Sequence, residues 1–188
     1  MKAISTALAL TCLVFATSAG ADEDALKRLS EMSGYDDSLS GEIQAGIYMG
    51  KKQIGTMTSA ITKAPADSGA VYLEKTVMKM KFGPQTMSEE ISVFMNADLS
   101  VISETTISGK SKGEEESLTT VTVKVEGANW VRTEIKDGKE SVAKFPVKGP
   151  NYAPCLFPIA RKLTGVPGKH TLPGIKWGEE PKAIELML

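Results

Sequence analysis

Histidine and cysteine are nearly absent from this chain, which has one His and two Cys in 188 residues. Cys12 lies in an N-terminal segment that we expect to be removed, so Cys155 and His170 are left. The usual zinc sites need three or four such ligands, so no metal site is predicted. Cys155 has apolar neighbours, which is typical of an inert buried thiol, and an intermolecular disulfide is the alternative. The sequence therefore predicts no internal disulfide and no enzyme.

The chain also has no excess of charge of either sign, because it contains 22 Lys and Arg residues and 23 Asp and Glu residues. Nucleic acids attract basic surfaces, so no nucleic-acid partner is predicted. Pro167 interrupts the glycine-rich segment 165–168 and removes an amide donor that a phosphate-binding loop needs. No cofactor is predicted. The carboxylates are many but scattered, and no spacing pairs two of them for acid–base catalysis.

The long apolar run stands at the N terminus. It combines Lys2, an uncharged and mostly apolar stretch over 3–16, and an A-x-A triplet at 19–21. The stretch has about fourteen residues, fewer than the roughly 20 that span a bilayer. We expect a signal peptide that is cut between Ala21 and Asp22. The rest of the chain is then periplasmic or secreted and has no transmembrane segment.

Residues 22–188 have about the size of one domain. Segment 22–33 has the apolar spacing of a short amphipathic helix. Segment 42–147 alternates apolar and polar residues, which is typical of strands with one buried face. Segment 148–188 is irregular and rich in proline, and it is predicted to hold a short helix over Pro158–Leu163 and a final strand over Ala183–Leu188.

Turn residues divide segment 42–147 into eight strands. The strongest turn signal is Asp137-Gly138, which joins Asn129–Lys136 to Lys139–Phe145. The polar segment Gly109–Glu116 is predicted to be a loop. Long twisted strands with short connections tend to curl. We therefore expect an all-β fold with minor α, in which an antiparallel meander forms a half-open or incomplete barrel.

The two tryptophans are expected outside the main core. Trp130 alternates with charged residues along its strand, whereas Val131 and Ile135 take the other face. Trp130 should therefore point away from the core or lie at the rim of the sheet. Trp177 lies beside a glycine in the irregular segment and is expected to be partly exposed.

Methionine is unusually frequent in the meander. Strands usually favour Val and Ile, whereas the flexible thioether of Met adapts to irregular partners. One interpretation is that these methionines fill the core, and the other is that they form an adaptable lining for an apolar ligand. Copper(I) also binds thioethers, but two of them on one strand face are too few. Six methionines are the candidate ligand-binding residues: Met49, Met57, Met78, Met80, Met87 and Met95.

The order of the elements resembles a known family. A short helix at Ala25–Met32, a long antiparallel meander and a late helix broken by proline are similar to the LolA/LolB-like periplasmic proteins. The hairpin from Tyr48 to Gly55 also looks like the first hairpin of related half-barrel domains. This resemblance covers most of the chain after residue 21 as architecture. It implies a half-open barrel that carries lipoproteins or other apolar cargo, and it assigns a role to no residue.

These patterns together predict an exported, non-enzymatic binding or carrier domain for an apolar or lipid-like ligand. The alternative is a cell-envelope interaction module that docks a protein partner through a sheet edge or through its C-terminal segment. Segment Ala183–Leu188 distinguishes the two. Pairing inside the sheet favours a carrier, and a free apolar segment favours a partner.

Overall fold

The computed structural model describes residues 16–17, 23–112, 115–152, 159, 162, 169–174 and 182–187. Its main feature is one antiparallel sheet of eight strands, in which the strands follow the order of the chain. The strands of this sheet are β2 (Gly41–Met49), β3 (Lys52–Lys63), β4 (Tyr72–Phe82), β5 (Gln85–Met95), β6 (Val101–Lys112), β7 (Glu115–Glu126), β8 (Asn129–Lys136) and β9 (Lys139–Pro146).

The predicted fold class is confirmed. The sheet is an open meander, with β2 at one edge and β9 at the other. A short helix α1 (Glu23–Ser30) and a 3₁₀ turn (Asp37–Leu39) precede it. Asp137 and Gly138 both adopt positive φ, at 51° and 74°. This is the backbone of the two-residue turn that matches the twist of paired strands, and it joins β8 to β9 as predicted.

The loop predicted at Gly109–Glu116 is wrong in its extent. Strand β6 continues to Lys112, and β7 already begins at Glu115. Gly109 pairs with Ser88 on one side and with Leu118 on the other. Polar residues remain in the ladder here because this end of the sheet faces water, so their side chains stay solvated while the backbone groups pair.

The core lies at one end of one face of the sheet. We call this side of the sheet the inner face and this end the covered end. Ala25 and Leu29, four residues apart on α1, pack onto it, as adjacent positions on one helix side do. The buried core residues are Ala25, Leu29, Leu39, Ile61, Tyr72, Val93, Met95, Leu99, Val101, Val123, Trp130, Tyr152 and Ile159.

The position predicted for Trp130 is wrong, because its side chain is 1% exposed and belongs to the core. The alternation along β8 was assigned correctly, since Trp130 shares the inner face with Arg132 and Lys136. That face is apolar at the covered end and polar towards the other end. The charged residues that alternate with Trp130 therefore do not indicate that Trp130 lies on the outer face of the sheet. Ile135, on the opposite face, is exposed. Trp177 lies outside the described residues.

A segment after the meander helps to close the covered end. Ile159 and Lys162 are helical, and Ile159 is fully buried. The Lys162 Nζ atom lies 3.5 Å from the Asp36 carboxylate. The pKa of Asp36 is lowered, mainly by hydrogen bonds from Ser38 and also by Lys162. The rest of the helix predicted over Pro158–Leu163, together with Cys155, lies outside the described residues.

A second, three-stranded sheet has the order β1 (Ala16–Thr17), β11 (Lys182–Met187), β10 (Lys169–Gly174). The final segment therefore forms a strand that pairs with β10, neither inside the main sheet nor free. His170 lies on β10, opposite Leu186. Among the described residues, no helix has the length and apolarity required to cross a membrane.

Candidate functional site

Beyond the core, the inner face continues towards the turns at Gly50, Gly83 and Gly138. We call this the open end. Strand β4 shows the gradient along the face, because Tyr72 and Thr76 are buried whereas Met78 and Met80 are only partly buried. Since residues two apart on a strand share a face, all four point to the same side. The open end thus offers half-buried side chains that no other described element covers completely.

Four of the six candidate methionines meet on this face. Met57 of β3 lies opposite Met78 of β4, and Met80 lies opposite Met87 of β5. Directly opposed residues in antiparallel strands have Cβ atoms about 4.5–5.5 Å apart, so these side chains can touch. All four are partly buried. We call Met57, Met78, Met80 and Met87 the methionine patch.

A glycine allows the patch to pack closely. Gly55 of β3 lies opposite Met80. A Cβ atom at this position would lie 3.0 Å from the Met80 Cγ atom and would clash with the backbone oxygen of Lys79. Because real Cβ atoms avoid such distances, only glycine lets β3 and Met80 approach this closely. The position of the Met80 side chain therefore depends on the absence of a side chain at Gly55.

The other two candidate methionines lie elsewhere. Met95 is fully buried among the core residues, which corresponds to the core-filling interpretation. Met49 is 60% exposed at the end of β2, next to the turn at Gly50. The six methionines are thus four neighbours on one surface, one core residue and one exposed residue.

A hollow of about 440 Å³ adjoins the patch at the open end. Ligand pockets typically measure about 300–1,000 Å³, so the hollow is large enough for a small ligand or part of a longer one. Met80 and Met87 belong to both the patch and the hollow. Its other walls are polar and include Glu89, Ser108, Lys110 and Lys136. The ammonium groups of Lys110 and Lys136 form no ion pair with a described residue.

Comparison with protein-family models, with curated proteins and with solved structures finds no match to this chain.

A buried carboxyl group lies between the patch and the core. Glu74 of β4 is 2% exposed. Its Oε1 atom accepts a hydrogen bond of 2.9 Å from the Ser59 hydroxyl, and its Oε2 atom is buried without a partner in the described part of the chain. Burial raises the pKa of Glu74 from 4.5 to about 7, and the hydrogen bond from Ser59 opposes this rise. A group of this kind changes its charge near neutral pH.

A second acidic residue lies in the same row of the sheet. Val93 pairs with Glu74 on one side and with Glu104 on the other. Glu104 is also buried, and it accepts a hydrogen bond of 3.0 Å from the Thr106 hydroxyl. Two strand spacings of about 4.8 Å separate the backbones of the two residues. Among the described residues, no group of three or more His, Cys, Asp or Glu side chains could hold a metal ion.

Sequence reasoning missed both buried acids because it treated the carboxylates as scattered. A signal was present for Glu74. It alternates with Tyr72, Thr76 and Met78 along β4, so its strand position places it on the methionine face. An acid that occupies an inner-face position is a better candidate for burial than an acid in a turn. Glu74 also shares this face of β4 with Met78, which belongs to the methionine patch.

Proposed function

We propose that the protein is an exported, non-enzymatic carrier that holds an apolar or lipid-like ligand on the inner face of its open sheet. The observation that supports this proposal is the methionine patch. Four flexible, apolar side chains lie next to one another, half-buried, beside a hollow at the open end of the face. Methionine is well suited to ligands of irregular or variable shape because its side chain can repack.

The ligand in this proposal lies across β3, β4 and β5. Its apolar part covers the methionine patch, and any polar end remains in the hollow near Lys110 and Lys136. Burial of apolar area contributes about 25 cal/mol per Å². A few hundred Å² of contact is then worth several kcal/mol before the costs of ordering are subtracted.

Uptake of a fluorescent fatty acid tests the carrier proposal. The purified exported protein should bind the probe and increase its fluorescence. Met80→Ala and Met87→Ala should each remove about 1.4 kcal/mol of binding free energy, which corresponds to about tenfold weaker binding. Met49→Ala is the matched control, because Met49 is exposed and lies outside the patch. Its affinity should equal that of the parent protein.

A parent protein that takes up neither this probe nor a neutral apolar dye would contradict the proposal. The same holds if Met49→Ala weakens binding as much as the two patch substitutions. In that case the probe binds apolar surface without preference for the inner face.

Export gives a separate prediction. Secreted or periplasmic protein should begin at Asp22, as shown by N-terminal sequencing or intact mass. Ala21→Arg should block the cut and leave the precursor, because signal peptidase requires small residues before its site. An intact Met1 in the exported fraction, or a lipid-modified start at Cys12, would contradict this prediction.

A further inference from the structure

The two edges of the open sheet differ in how they are protected. An exposed edge strand invites pairing with another chain, and natural proteins block it with charged residues, proline or bulges. The β9 edge carries Lys139, Glu140, Lys144 and Pro146. The β2 edge carries one charged residue, Glu42, in nine. The β9 edge therefore has more of the features that prevent strand addition.

The β2 edge offers a regular ladder for pairing. Residues 41–47 pair with β3 in a continuous register, and the irregularity between Ile47 and Tyr48 comes only at the end of the strand. In the described part of the chain, no strand pairs with the outer side of β2.

We propose that two copies of the chain pair through their β2 strands, antiparallel, about a two-fold axis close to Gln44. In this register Gln44 lies opposite Gln44 of the second copy, and Ile43 lies opposite Ala45. Glu42 lies opposite Gly46, so the two acidic groups are not opposed. The pairing keeps the alternation of side chains, and the inner faces of the two sheets become one continuous surface.

A second copy fits this edge better than a chain of another kind because the strand is complementary to itself in this register. Pairing through the same strand of each copy is also closed, since the axis relates the two copies and leaves no further β2 edge. Pairing of β2 of one copy with β9 of the next copy would instead leave a free edge at each end, so the assembly would grow without closing. The charges and the proline of β9 prevent that arrangement.

Dimerisation also changes the ligand-binding face. Ala45 lies opposite Met57, which lies opposite Met78. The paired β2 strands therefore connect the methionine patches of the two copies through a strip that contains Ile43, Ala45 and Ile47 of each. A long apolar ligand can lie across both patches. The dimer does not require the carrier function, so either proposal can fail while the other holds.

Sedimentation of the purified exported protein tests the dimer. The parent protein should have the mass of two chains at micromolar concentration. Gln44→Lys places two positive charges opposite each other and should weaken dimerisation about tenfold or more. Val142→Lys is the matched control, because Val142 is an exposed residue in the middle of β9. This variant should remain dimeric.

Cross-linking tests the register even if a charged variant folds poorly. Residues directly opposed across antiparallel strands have Cα atoms about 4.5–5.5 Å apart, within the range of a disulfide. In a Cys155→Ser background, Gln44→Cys should form a disulfide-linked dimer on oxidation, whereas Val142→Cys should not. A monomeric parent protein, or no cross-link at Gln44→Cys, would overturn the proposal. So would a different protein that occupies β2 in the purified sample.

Discussion

Glu74→Gln should raise the free energy of unfolding by about 3 kcal/mol near pH 8 and leave it nearly unchanged near pH 4. Burial raises the pKa of Glu74 from 4.5 to about 7 in the folded chain. Between these two values the folded state holds a proton that the unfolded state has released. The stability of the parent protein should therefore fall as the pH rises through this window. A neutral glutamine avoids the cost of a buried charge at every pH.

Urea unfolding at several pH values between 4 and 8 measures this effect. The parent protein should lose stability across the window, and the Gln variant should lose less. Glu140→Gln is the matched control, since Glu140 lies exposed on β9, and it should keep the pH profile of the parent. If Glu74→Gln also keeps that profile, the carboxyl group of Glu74 is hydrated or paired in solution, and the buried-acid description is wrong.

Met95→Ala should cost about 2–5 kcal/mol of unfolding free energy, whereas Met87→Ala should cost about 1 kcal/mol or less. Both residues lie on β5 and receive the same substitution, so each serves as the control for the other. Met95 is fully buried among the core residues, and its truncation leaves a cavity. Met87 is partly buried beside the hollow, where water can replace the lost atoms.

Denaturant unfolding of the two variants gives the comparison directly. Equal losses of about 2–5 kcal/mol would mean that Met87 is sealed in a core, as Met95 is. The methionine patch would then be core filling and not a surface for a ligand. A small loss at Met87 together with weaker probe uptake is the outcome that the carrier proposal requires.

Local patterns predicted most of the fold because the meander is a local structure. Each strand has a clear alternation, and each pairs with its neighbours in the chain, so turn signals such as Asp137-Gly138 determine the pairing as well as the boundaries. The strand Lys182–Met187 shows where local patterns no longer predict the pairing of strands. Its pattern indicated a strand, but its partner, β10, lies beyond a stretch of chain with no turn signal that specifies a hairpin.

Burial was harder to predict than strand position. Alternation gives the side of the sheet on which a residue lies, but it does not give the distance of that residue from the covering helix. Trp130 and Lys136 share a face, yet only Trp130 lies under the elements that close the covered end. The same limitation applies to the methionines, because Met87 and Met95 have equivalent positions in the pattern of β5 and differ in what covers them.

The order of the strands also has a consequence for how the chain folds. Every pair in the large sheet joins strands that are neighbours in the chain, so each hairpin can close over a short loop with a small entropic cost. Sheet growth can then proceed strand by strand. The small sheet differs, because Ala16 of β1 pairs with Ile184 across almost the whole chain. A cut between Ala21 and Asp22 removes this pairing from the exported protein and leaves the pair of β10 and β11. Contacts with such a large sequence separation form slowly, so in the uncut precursor this pairing should be the last to form.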